Sequence, residues 1–412
     1  MNEKDFTKRI EEIGGQAYLV GGAVRDRLRG VKPKDRDYCL TGVVEDRFVA
    51  QFPDAPKVGK AFPVFIVEID GAKCEVAFAR RERKVGVGYR GFTVSFEPDV
   101  TIEEDLYRRD TTINAIAIEL PSDTVIDPFN GAQDIANQKI RAVSKHFVDD
   151  PVRALRAARQ AAEFRFEITD DTIVAMHACA EELRLEPGER IVGELRRALM
   201  TDRPSIFFRA LERADLLSIT FPELYQLIGK TQSVEFHPEG DAFDHTMQIV
   251  DDVSIINSDI ITRFCALVHD LGKGITPQNK LPHHHGHDRK GFEVLQQWNR
   301  RTTLPRDWIK AAKLVIEEHM RAVCLEHPGK IVDLLMKIQA SKFPIENFND
   351  VIRADSFERL PAYLEHADEL IKKFLTVDGS RHPSTLKGAE IGSWIRNERI
   401  KIYMSINKPK EV

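Results

Sequence analysis

Short apolar runs punctuated by glycine and proline characterise the first part of the chain. Four of these runs have the length and composition of β-strands, and brief helical patterns separate them. They lie at residues 17–20, 63–69, 74–79 and 113–120. The mixture of strand-like and helix-like segments predicts an α+β domain at the start of the chain.

A different pattern begins near Asp150. Apolar residues there recur at helical spacing, as in Val152, Leu155, Ala158 and Ala162, and strand-like alternation largely disappears. The sequence therefore predicts an α+β head followed by a long all-α remainder. We expect a head at 1–140, a helical neck at 141–227, a histidine-rich domain at 228–330 and a helical tail at 331–412.

Length and composition narrow the class of protein. The 412 residues leave room for about two to four domains, and no apolar stretch approaches the roughly 18 residues that cross a bilayer. The charged N-terminus lacks the apolar segment of an export signal, so we expect a cytoplasmic protein without a membrane anchor. Five widely spaced cysteines argue against a disulfide framework or a zinc finger. Because the net charge is −5, the chain as a whole does not indicate a polyanionic partner. Only local clusters of basic residues could indicate one.

A glycine pair follows the first predicted strand, within the segment LVGGAVRD at residues 19–26. A bend of this kind between a strand and a helix lets the backbone N–H groups approach a phosphate closely. Arg25, one turn into the helix, is in reach of the same phosphate. A Gly-Gly turn without a ligand is the simpler alternative at this point.

Two aspartates, Asp35 and Asp37, precede a short apolar run at 38–40. Residues two apart in a strand point to one face, so we expect both carboxylates to converge on one cation. Carboxylate oxygens suit Mg²⁺, which completes its shell with water and nucleotide phosphates. Glu75, in another strand-like run, is a candidate third acidic group. A solvated charge cluster is the alternative.

These segments resemble the nucleotidyltransferase signature of the polymerase β superfamily, in the branch of class II tRNA nucleotidyltransferases (CCA-adding enzymes) and bacterial poly(A) polymerases. Two further segments fit that branch. Residues 104–115 (EDLYRRDTTINA) are similar to its RRDxTINA motif. Residues 149–159 (DDPVRALRAAR) are similar to its EDxxR motif, with Asp149 where Glu is usual. The resemblance implies a polymerase β-like head that transfers nucleotides to an RNA 3′ end.

Such a transfer needs in-line attack of an RNA hydroxyl on the α-phosphate of a nucleoside triphosphate. The resemblance assigns Asp35 and Asp37 to Mg²⁺ ions that activate the attacking oxygen and stabilise the leaving pyrophosphate. It places Gly22, Arg25 and Arg109 on the triphosphate.

Asp150 and Arg153 are expected to select the incoming base. Cytosine and adenine each present an amino donor beside a ring-nitrogen acceptor, whereas uracil and guanine present a carbonyl at that place. One carboxylate and one guanidinium on a single helix face would therefore accept C and A and reject U and G. Arg156 and Arg159 are further nucleotide-binding candidates. The alternative is a helix cap at Asp150 followed by a solvated arginine stripe.

A loop rich in glycine and basic residues spans residues 80–91. A flexible basic loop beside the metal site suits RNA phosphates, or remodelling of the pocket between C and A addition. In the resembling family this place holds the flexible loop of full CCA-adding enzymes, and a shortened loop is associated with CC-only enzymes. Its presence here favours the complete activity.

Eight of the 13 histidines fall between His237 and His319, which marks a chemically distinct segment. Imidazole and carboxylate together suit a transition metal that acts in phosphate ester hydrolysis. The sequence HDLGK at 269–273 resembles the HD-domain metallophosphohydrolases, although adjacent histidines at 283–285 leave the choice of some ligands open. The predicted metal ligands are His245, His269 and Asp270, and the further candidates are His285 and His287.

The multifunctional bacterial subgroup of CCA-adding enzymes carries such an HD domain behind its head and neck. This resemblance implies 2′,3′-cyclic phosphodiesterase, 2′-nucleotidase and phosphatase activities, with Ni²⁺ or another transition metal as cofactor. We therefore expect an enzyme that builds or repairs the CCA end of tRNA from CTP and ATP, as a monomer or homodimer. The alternatives are a poly(A) polymerase, an A-adding or CC-adding enzyme, and an HD phosphohydrolase with a nucleotide-binding regulatory head.

Overall fold

The computed structural model describes residues 1–58, 62–86, 88, 91–235, 237–356, 359–381, 383 and 385–406. The chain forms two compact units. The first comprises Met1–Glu194 and Ile206–Thr220, and the second comprises Leu195–Ser205 and Phe221–Val412. The glycine bend and the acidic residues of the head lie in the first unit, and the histidine-rich segment lies in the second.

The strands of the described residues all lie in the first unit. They are β1 (Gln16–Val20), β2 (Asp37–Thr41), β3 (Val64–Ile69), β4 (Ala72–Phe78), β5 (Arg81–Lys84), β6 (Phe92–Ser95), β7 (Ala117–Leu120), β8 (Thr124–Ile126), β9 (Lys139–Ile140) and β10 (Glu167–Ile168). Six of them form one sheet in the order β3-β4-β2-β1-β7-β8. Its neighbours are antiparallel except β2 and β4, which are parallel. β5 and β6 form a separate antiparallel hairpin, and β9 pairs with β10.

Helices make up most of the remaining structure. The first twelve are α1 (Glu3–Glu12), α2 (Gly22–Leu28), α3 (Glu45–Gln51), α4 (Ile102–Tyr107), α5 (Gly131–Ala136), α6 (Val152–Phe164), α7 (Asp170–His177), α8 (Ala180–Leu183), α9 (Gly188–Leu199), α10 (Ser205–Arg213), α11 (Leu217–Thr220) and α12 (Pro222–Tyr225). The others are α13 (Ala242–Ile256), α14 (Ile260–Val268), α15 (His287–Thr302), α16 (Arg306–Ala322), α17 (Pro328–Ser341), α18 (Ile345–Asp355), α19 (Ala362–Glu365), α20 (Ala367–Leu375) and α21 (Ala389–Ile406). None of the described helices combines the length and the apolar character that a bilayer span requires.

The predicted α+β head with a helical remainder is confirmed. Three of the four predicted strand runs are found as β1, β3 and β4. The fourth prediction was wrong over its first half, because Thr112–Asn114 forms a 3₁₀ turn and strand β7 begins only at Ala117. Ile113 in this turn is fully buried. Its apolar character therefore reflects burial, which a short apolar run cannot distinguish from extended backbone.

Helix α6 shows why the helical pattern begins near residue 150. The residues that set its spacing, Val152, Leu155, Ala158 and Ala162, are all buried. Most residues of α6 are buried, and its small alanines allow close packing of neighbouring elements. The helix ends at Phe164, where Arg165 adopts the left-handed conformation that commonly terminates helices.

The second unit is a bundle in which α14 packs against α13, α16 and α18. Phe264 of α14 lies between two fully buried tryptophans, with ring centroids 4.6 Å from Trp308 and 6.0 Å from Trp298. Aromatic rings bury large apolar areas, so they fix the position of this helix in the bundle. The end of α14 is thereby held deep inside the unit, directly before His269.

Two candidate active sites

The strand register of the first unit places the glycine bend beside two acidic residues. Val20, the last residue of β1, is the antiparallel partner of Asp37, the first residue of β2. Asp37 is also the parallel partner of Glu75 in β4. Directly paired residues present their side chains on the same face of a sheet. Asp37 and Glu75 therefore share a face next to the strand end at which Gly21 begins the bend.

Asp35 contributes to this group for a different reason from the predicted one. Strand β2 begins at Asp37, and Asp35 lies in an exposed bend before it, so strand alternation does not position Asp35. Burial raises the pKa of Asp37, and the charges of Glu75 and Asp35 raise it further, while Arg109 lowers it. The carboxylates thus share a negative field that favours a divalent cation, and oxygen is the ligand atom that Mg²⁺ prefers.

Two guanidinium groups flank the glycine bend. Gly21 has a φ of 67°, and a Cβ atom there would lie 3.2 Å from a guanidinium nitrogen of Arg109. Helix α2 begins at Gly22, where a Cβ atom would lie 3.4 Å from a guanidinium nitrogen of Arg25. The positive φ favours glycine at position 21. Backbone N–H groups and two cations therefore meet at the bend, as a polyphosphate requires.

Neighbouring groups hold both arginines in place. Arg25 donates to Oδ1 of Asn114 over 2.7 Å. Arg109 donates to the backbone carbonyl of Asn114 over 3.3 Å and to Oδ2 of Asp105 over 2.9 Å. Burial alone would raise the pKa of Asp105, but Arg108 and Arg109 lower it to about 2. Asp105 is therefore a carboxylate that orients the two arginines of the RRD segment.

Asp110 joins the same segment to helix α6. Its Oδ2 accepts hydrogen bonds from Arg156 over 2.7 Å and from Gln160 over 3.0 Å, and its Oδ1 accepts one from the backbone N–H of Thr111. Burial opposes ionisation, but the Arg156 guanidinium holds the pKa of Asp110 well below its usual range. The structure thus engages Arg156, a predicted nucleotide ligand, with a buried carboxylate.

Asp150 and Arg153 lie close in sequence but have separate partners. Asp150 has extended backbone, because α6 begins only at Val152, and its Oδ1 accepts from the Val152 N–H over 3.2 Å. Its carboxylate also pairs with a guanidinium nitrogen of Arg190 over 2.8 Å. Arg153 is buried and donates to the carbonyl of His146. Asp150 therefore lies outside the helix that carries Arg153, so a shared helix face does not position this pair.

Further partners in this region were not foreseen from the sequence. The second guanidinium nitrogen of Arg153 lies 3.6 Å from Oε2 of Glu82 in the β5–β6 hairpin. Glu82 also lies 3.2 Å from Arg108. Arg159 pairs with Glu194 over 2.7 Å. Charge alternation along a strand or helix gives no signal for such pairs, since each joins segments far apart in sequence.

The predicted basic loop contains the first strand of this hairpin, β5. Lys84 of β5 forms an ion pair with Glu182, and the backbone N–H of Gly88 donates to Oε2 of Glu182 over 3.3 Å. Within the first unit the loop is thus attached to the helix α8, which follows α6 and α7. Positions 87, 89 and 90 of the predicted loop lie outside the described residues.

The second candidate site gathers histidines and acidic residues from four helices and one helix end. Their imidazoles share one arrangement, in which Nδ1 is anchored and Nε2 points inward. Nδ1 of His269 donates to the carbonyl of Ala266 over 2.8 Å, and Nδ1 of His245 bonds to Glu239. Such anchoring orients metal-binding histidines in proteins. The clustered residues are His245, His269, Asp270, His287, His319 and Asp355.

Four of these residues form one tight group. Nε2 of His245 lies 3.0 Å from Oδ1 of Asp355, and Nε2 of His269 lies 3.4 Å from the same oxygen. Nε2 of His269 lies 3.2 Å from Oδ2 of Asp270. Nε2 of His269 and both oxygens of Asp270 are buried without a hydrogen-bond partner among the described residues. Two imidazoles and two carboxylates around one point fit a transition metal.

The charges of this group favour a cation. Burial lowers the pKa of His269, but the carboxylates of Asp270 and Asp355 raise it to about 10. Burial would raise the pKa of Asp270, yet Lys273 and His269 hold it well below its usual range. Lys273 is buried, in contact with Asp270, and donates to Gln232. The site therefore combines a place for a metal with an ammonium group suited to an anionic substrate.

The structure brings together most of the histidine-segment residues that the sequence singled out. His245, His269, Asp270 and His287 belong to the cluster. His285 is exposed and stacks on His283 with ring centroids 5.7 Å apart, so it is not among the clustered groups. His285 lies in the loop before helix α15, whereas His287 is the first residue of that helix and is buried.

His319 was not among the ligands predicted from the sequence, and Asp355 is a ligand candidate that the sequence analysis missed altogether. It is the last residue of α18 and lies 110 positions after His245, beyond the predicted end of the histidine-rich domain. A lone aspartate at a helix end has no spacing signal. Only the packing of α18 against α13 and α14 brings it to the site.

Comparisons with known proteins agree with this architecture. The family model described as Poly A polymerase head domain matches residues 17–141, and the HD domain model matches residues 242–341. Between them, residues 165–227 match the model described as probable RNA and SrmB-binding site of polymerase A.

Similar proteins include curated relatives named multifunctional CCA protein. The one from Nitrosococcus oceani is 42% identical over 348 residues, 83% of this chain and 84% of the relative. The one from Acinetobacter baylyi is 35% identical and covers 95% of this chain and 98% of the relative. Over such lengths these identities show common family membership.

Solved structures with a similar fold include CCA-adding enzymes. The Bacillus stearothermophilus enzyme in complex with CTP has a TM-score of 0.66 at 22% identity, over 98% of this chain and 91% of that one. The Thermotoga maritima enzyme complexed with tRNA has a TM-score of 0.60 at 20% identity, over 99% and 92%. At these identities the likeness concerns the fold.

Proposed function

The chain belongs to the family of multifunctional CCA proteins, and on that premise we propose a chemical role for each of its two sites. It is a tRNA nucleotidyltransferase that adds the CCA 3′ terminus. CTP and ATP are its proposed nucleotides, as in the similar enzymes that were solved with them. The observation that carries this role is the register that aligns Asp37 and Glu75 beside the Gly21 bend.

Asp35 and Asp37 are the proposed Mg²⁺ ligands, with Glu75 as a third acidic group. When bound, the cations stabilise the negative charge that develops on the transferred phosphoryl group and the leaving pyrophosphate. The chain itself supplies the N–H groups at Gly21 and Gly22 and the guanidinium groups of Arg25 and Arg109. These groups would bind and orient the triphosphate, since all of them meet at the bend.

Asp150 and Arg153 remain the proposed base-selecting pair. Each already has a charged neighbour, Arg190 at Asp150 and Glu82 at Arg153. An incoming cytosine or adenine would replace these neighbours, with its amino group donating to the carboxylate and its ring nitrogen accepting from the guanidinium.

The histidine cluster is the proposed phosphohydrolase site. Its donor set fits Ni²⁺ or another transition metal, which when bound would polarise a phosphate ester. His245, His269, Asp270 and Asp355 are the proposed ligands, and Lys273 is placed to attract the phosphate. The proposed activities are 2′,3′-cyclic phosphodiesterase, 2′-nucleotidase and phosphatase. Because the substrate of the head is tRNA, the cytoplasm is the proposed place of action.

Extension of a tRNA that lacks its last three nucleotides tests the output of the head. The purified chain receives Mg²⁺ and CTP, ATP, UTP or GTP, first singly and then as CTP with ATP. We expect two additions with CTP alone, and a complete CCA end with both nucleotides. A product that stops after C with both nucleotides present, or that carries a long A tract, would contradict the proposal.

A further inference from the structure

A cavity adjoins the histidine cluster of the second unit. His269 and Asp270 are at most 1% exposed, so a phosphate ester must approach them from an opening beside the cluster. The cavity has a volume of about 380 Å³ and reaches His287, one of the clustered residues. Small-ligand pockets have volumes of roughly 300–1,000 Å³. The cavity is therefore large enough for the part of a substrate that leads away from the hydrolysed phosphate.

Two lysines give this cavity a positive charge. Lys280 lies in the 3₁₀ turn at 278–280, and Lys290 lies in the first turn of α15. Neither lysine has an ion-pair partner among the residues that the structure describes. No carboxylate is found among the described residues that line the cavity. Two cations without a counter-charge at one cavity favour an anionic group of the ligand.

Two imidazoles give the same cavity a flat aromatic surface. His283 and His285 both line it, and their ring planes lie 17° apart with centroids separated by 5.7 Å. Histidine is one of the side chains on which proteins stack the unpaired bases of RNA. The cavity therefore combines a surface for a nucleobase with cations for a phosphate.

The loop that carries these imidazoles is held in place by buried contacts. Between them, His284 donates from Nε2 to the carbonyl of Thr231 over 3.0 Å, and its Nδ1 lies 2.9 Å from Oγ1 of Thr276. The opposite wall is equally close-packed, because a Cβ atom at Gly272 would lie 2.0 Å from the carbonyl oxygen of His287. The cavity is thus a defined feature of the fold.

We propose that this cavity binds a terminal nucleotide that carries a second phosphate on its 5′ side, as at the 3′ end of an RNA strand. The base would stack on His283 and His285, and Lys280 and Lys290 would bind the 5′-side phosphate. The phosphate to be hydrolysed would lie at the histidine cluster. This inference rests on the proposed phosphohydrolase function and names its preferred substrate class. A free 2′,3′-cyclic mononucleotide lacks the second phosphate and therefore leaves both lysines unused.

Three substrates test the preference on the full-length chain with Ni²⁺. They are adenosine 2′,3′-cyclic phosphate, the same nucleotide with a 5′-phosphate, and an RNA trinucleotide that ends in the same cyclic phosphate. We expect kcat/KM to be higher by roughly tenfold for the two substrates with a second phosphate. A further gain for the trinucleotide identifies an RNA end as the ligand, and equal values for those two identify a free nucleotide. Equal kcat/KM for all three substrates would overturn the proposal.

Replacing the lysines tests their part in this preference. The double variant Lys280→Gln with Lys290→Gln should lose the preference through a higher KM for the trinucleotide, with kcat little changed. Arg289→Gln is the matched control, because Arg289 is an exposed cation next to Lys290 that does not line the cavity. In the wild type the preference should also decline as NaCl rises, since exposed charges are screened. A preference that survives the double variant, or that the control abolishes equally, would contradict the lysine subsite.

His285→Ala and His285→Phe test the stacking surface. Alanine should lower kcat/KM for the trinucleotide by roughly tenfold, whereas phenylalanine keeps an aromatic face and should preserve it. Bound Ni²⁺ is measured by mass spectrometry on a chain without a histidine tag. Loss of Ni²⁺ in His285→Ala would make this residue a metal ligand and contradict the stacking role, as would an unchanged kcat/KM. The buried Trp298 and Trp308 report by fluorescence whether the second unit of each variant stays folded.

The outcomes separate this inference from the proposed function. A wild-type chain that hydrolyses all three substrates equally well would refute the subsite and keep the phosphohydrolase. Binding of a fluorescein-labelled trinucleotide covers the reverse case. A chain that hydrolyses none of the substrates, but whose affinity for this trinucleotide falls in the double lysine variant, would refute the phosphohydrolase and keep the subsite.

Discussion

Replacing Asp105 by asparagine should loosen the nucleotide site of the head without altering any proposed ligand. The carboxylate is 1% exposed and pairs with Arg108 and Arg109. Asparagine keeps the shape of the side chain and removes its charge. Arg109 then retains its bond to the Asn114 carbonyl and loses the partner that fixes its direction.

The pKa of Asp105 gives the size of the effect. Burial would raise this pKa, but the two arginines lower it from 3.8 to about 2, which corresponds to about 2 kcal/mol of folding stability at neutral pH. Because the folded-state pKa lies below the unfolded one, this contribution is complete above about pH 5. It is lost as the pH falls from 3.8 towards 2, and at pH 3 about half remains.

Amide hydrogen exchange of α4 and β2 measures this loss within the first unit. Asp105→Asn should increase their exchange at pH 7 by the factor that about 2 kcal/mol implies, roughly 30-fold, where exchange follows unfolding of the unit. The KM for CTP and ATP should rise together, since Arg109 is a proposed ligand of the triphosphate that both nucleotides share. Tryptophan fluorescence should not change, because all three tryptophans lie in the second unit.

Glu103→Gln on the same helix is the control, because Glu103 is exposed. This substitution should change the free energy of the opening that permits exchange by less than about 1 kcal/mol. Equal exchange in the Asp105 and Glu103 variants would refute the claim that the buried pairing holds this site together.

Two further predictions concern substrate recognition. Asp150→Ala should lower incorporation of C and A together and relax rejection of U in single-nucleotide extension, and unchanged discrimination would leave Asp150 as a helix cap only. The affinity for tRNA, measured by filter binding, should fall as the NaCl concentration rises, because phosphate contacts release counterions. An affinity independent of salt would contradict binding through the phosphates.

The sequence predicted those parts of the sites that local patterns encode. Asp37 comes directly before a strand-like run, and Glu75 lies within another. His269 and Asp270 follow an apolar helical run. The positions of these four residues therefore follow from the elements that carry them. The glycine bend was predictable for the same reason, since its residues lie directly between a strand and a helix.

Contacts between distant segments could not be predicted in this way. Asp355 reaches the histidine cluster only through the packing of α18, and Arg190 reaches Asp150 from α9. The position of Asp150 outside the helix depends on one detail, the start of α6 at Val152, and helix boundaries are the least certain feature of any sequence pattern.

The independence of the two sites is the central claim, and one paired measurement tests it most directly. Asp37→Ala and His269→Ala are each assayed for extension of a tRNA lacking CCA and for hydrolysis of a 2′,3′-cyclic nucleotide. Asp37→Ala should lose extension and keep hydrolysis, and His269→Ala should lose hydrolysis and keep extension. Loss of both activities in both variants would contradict a chain with two separate active sites.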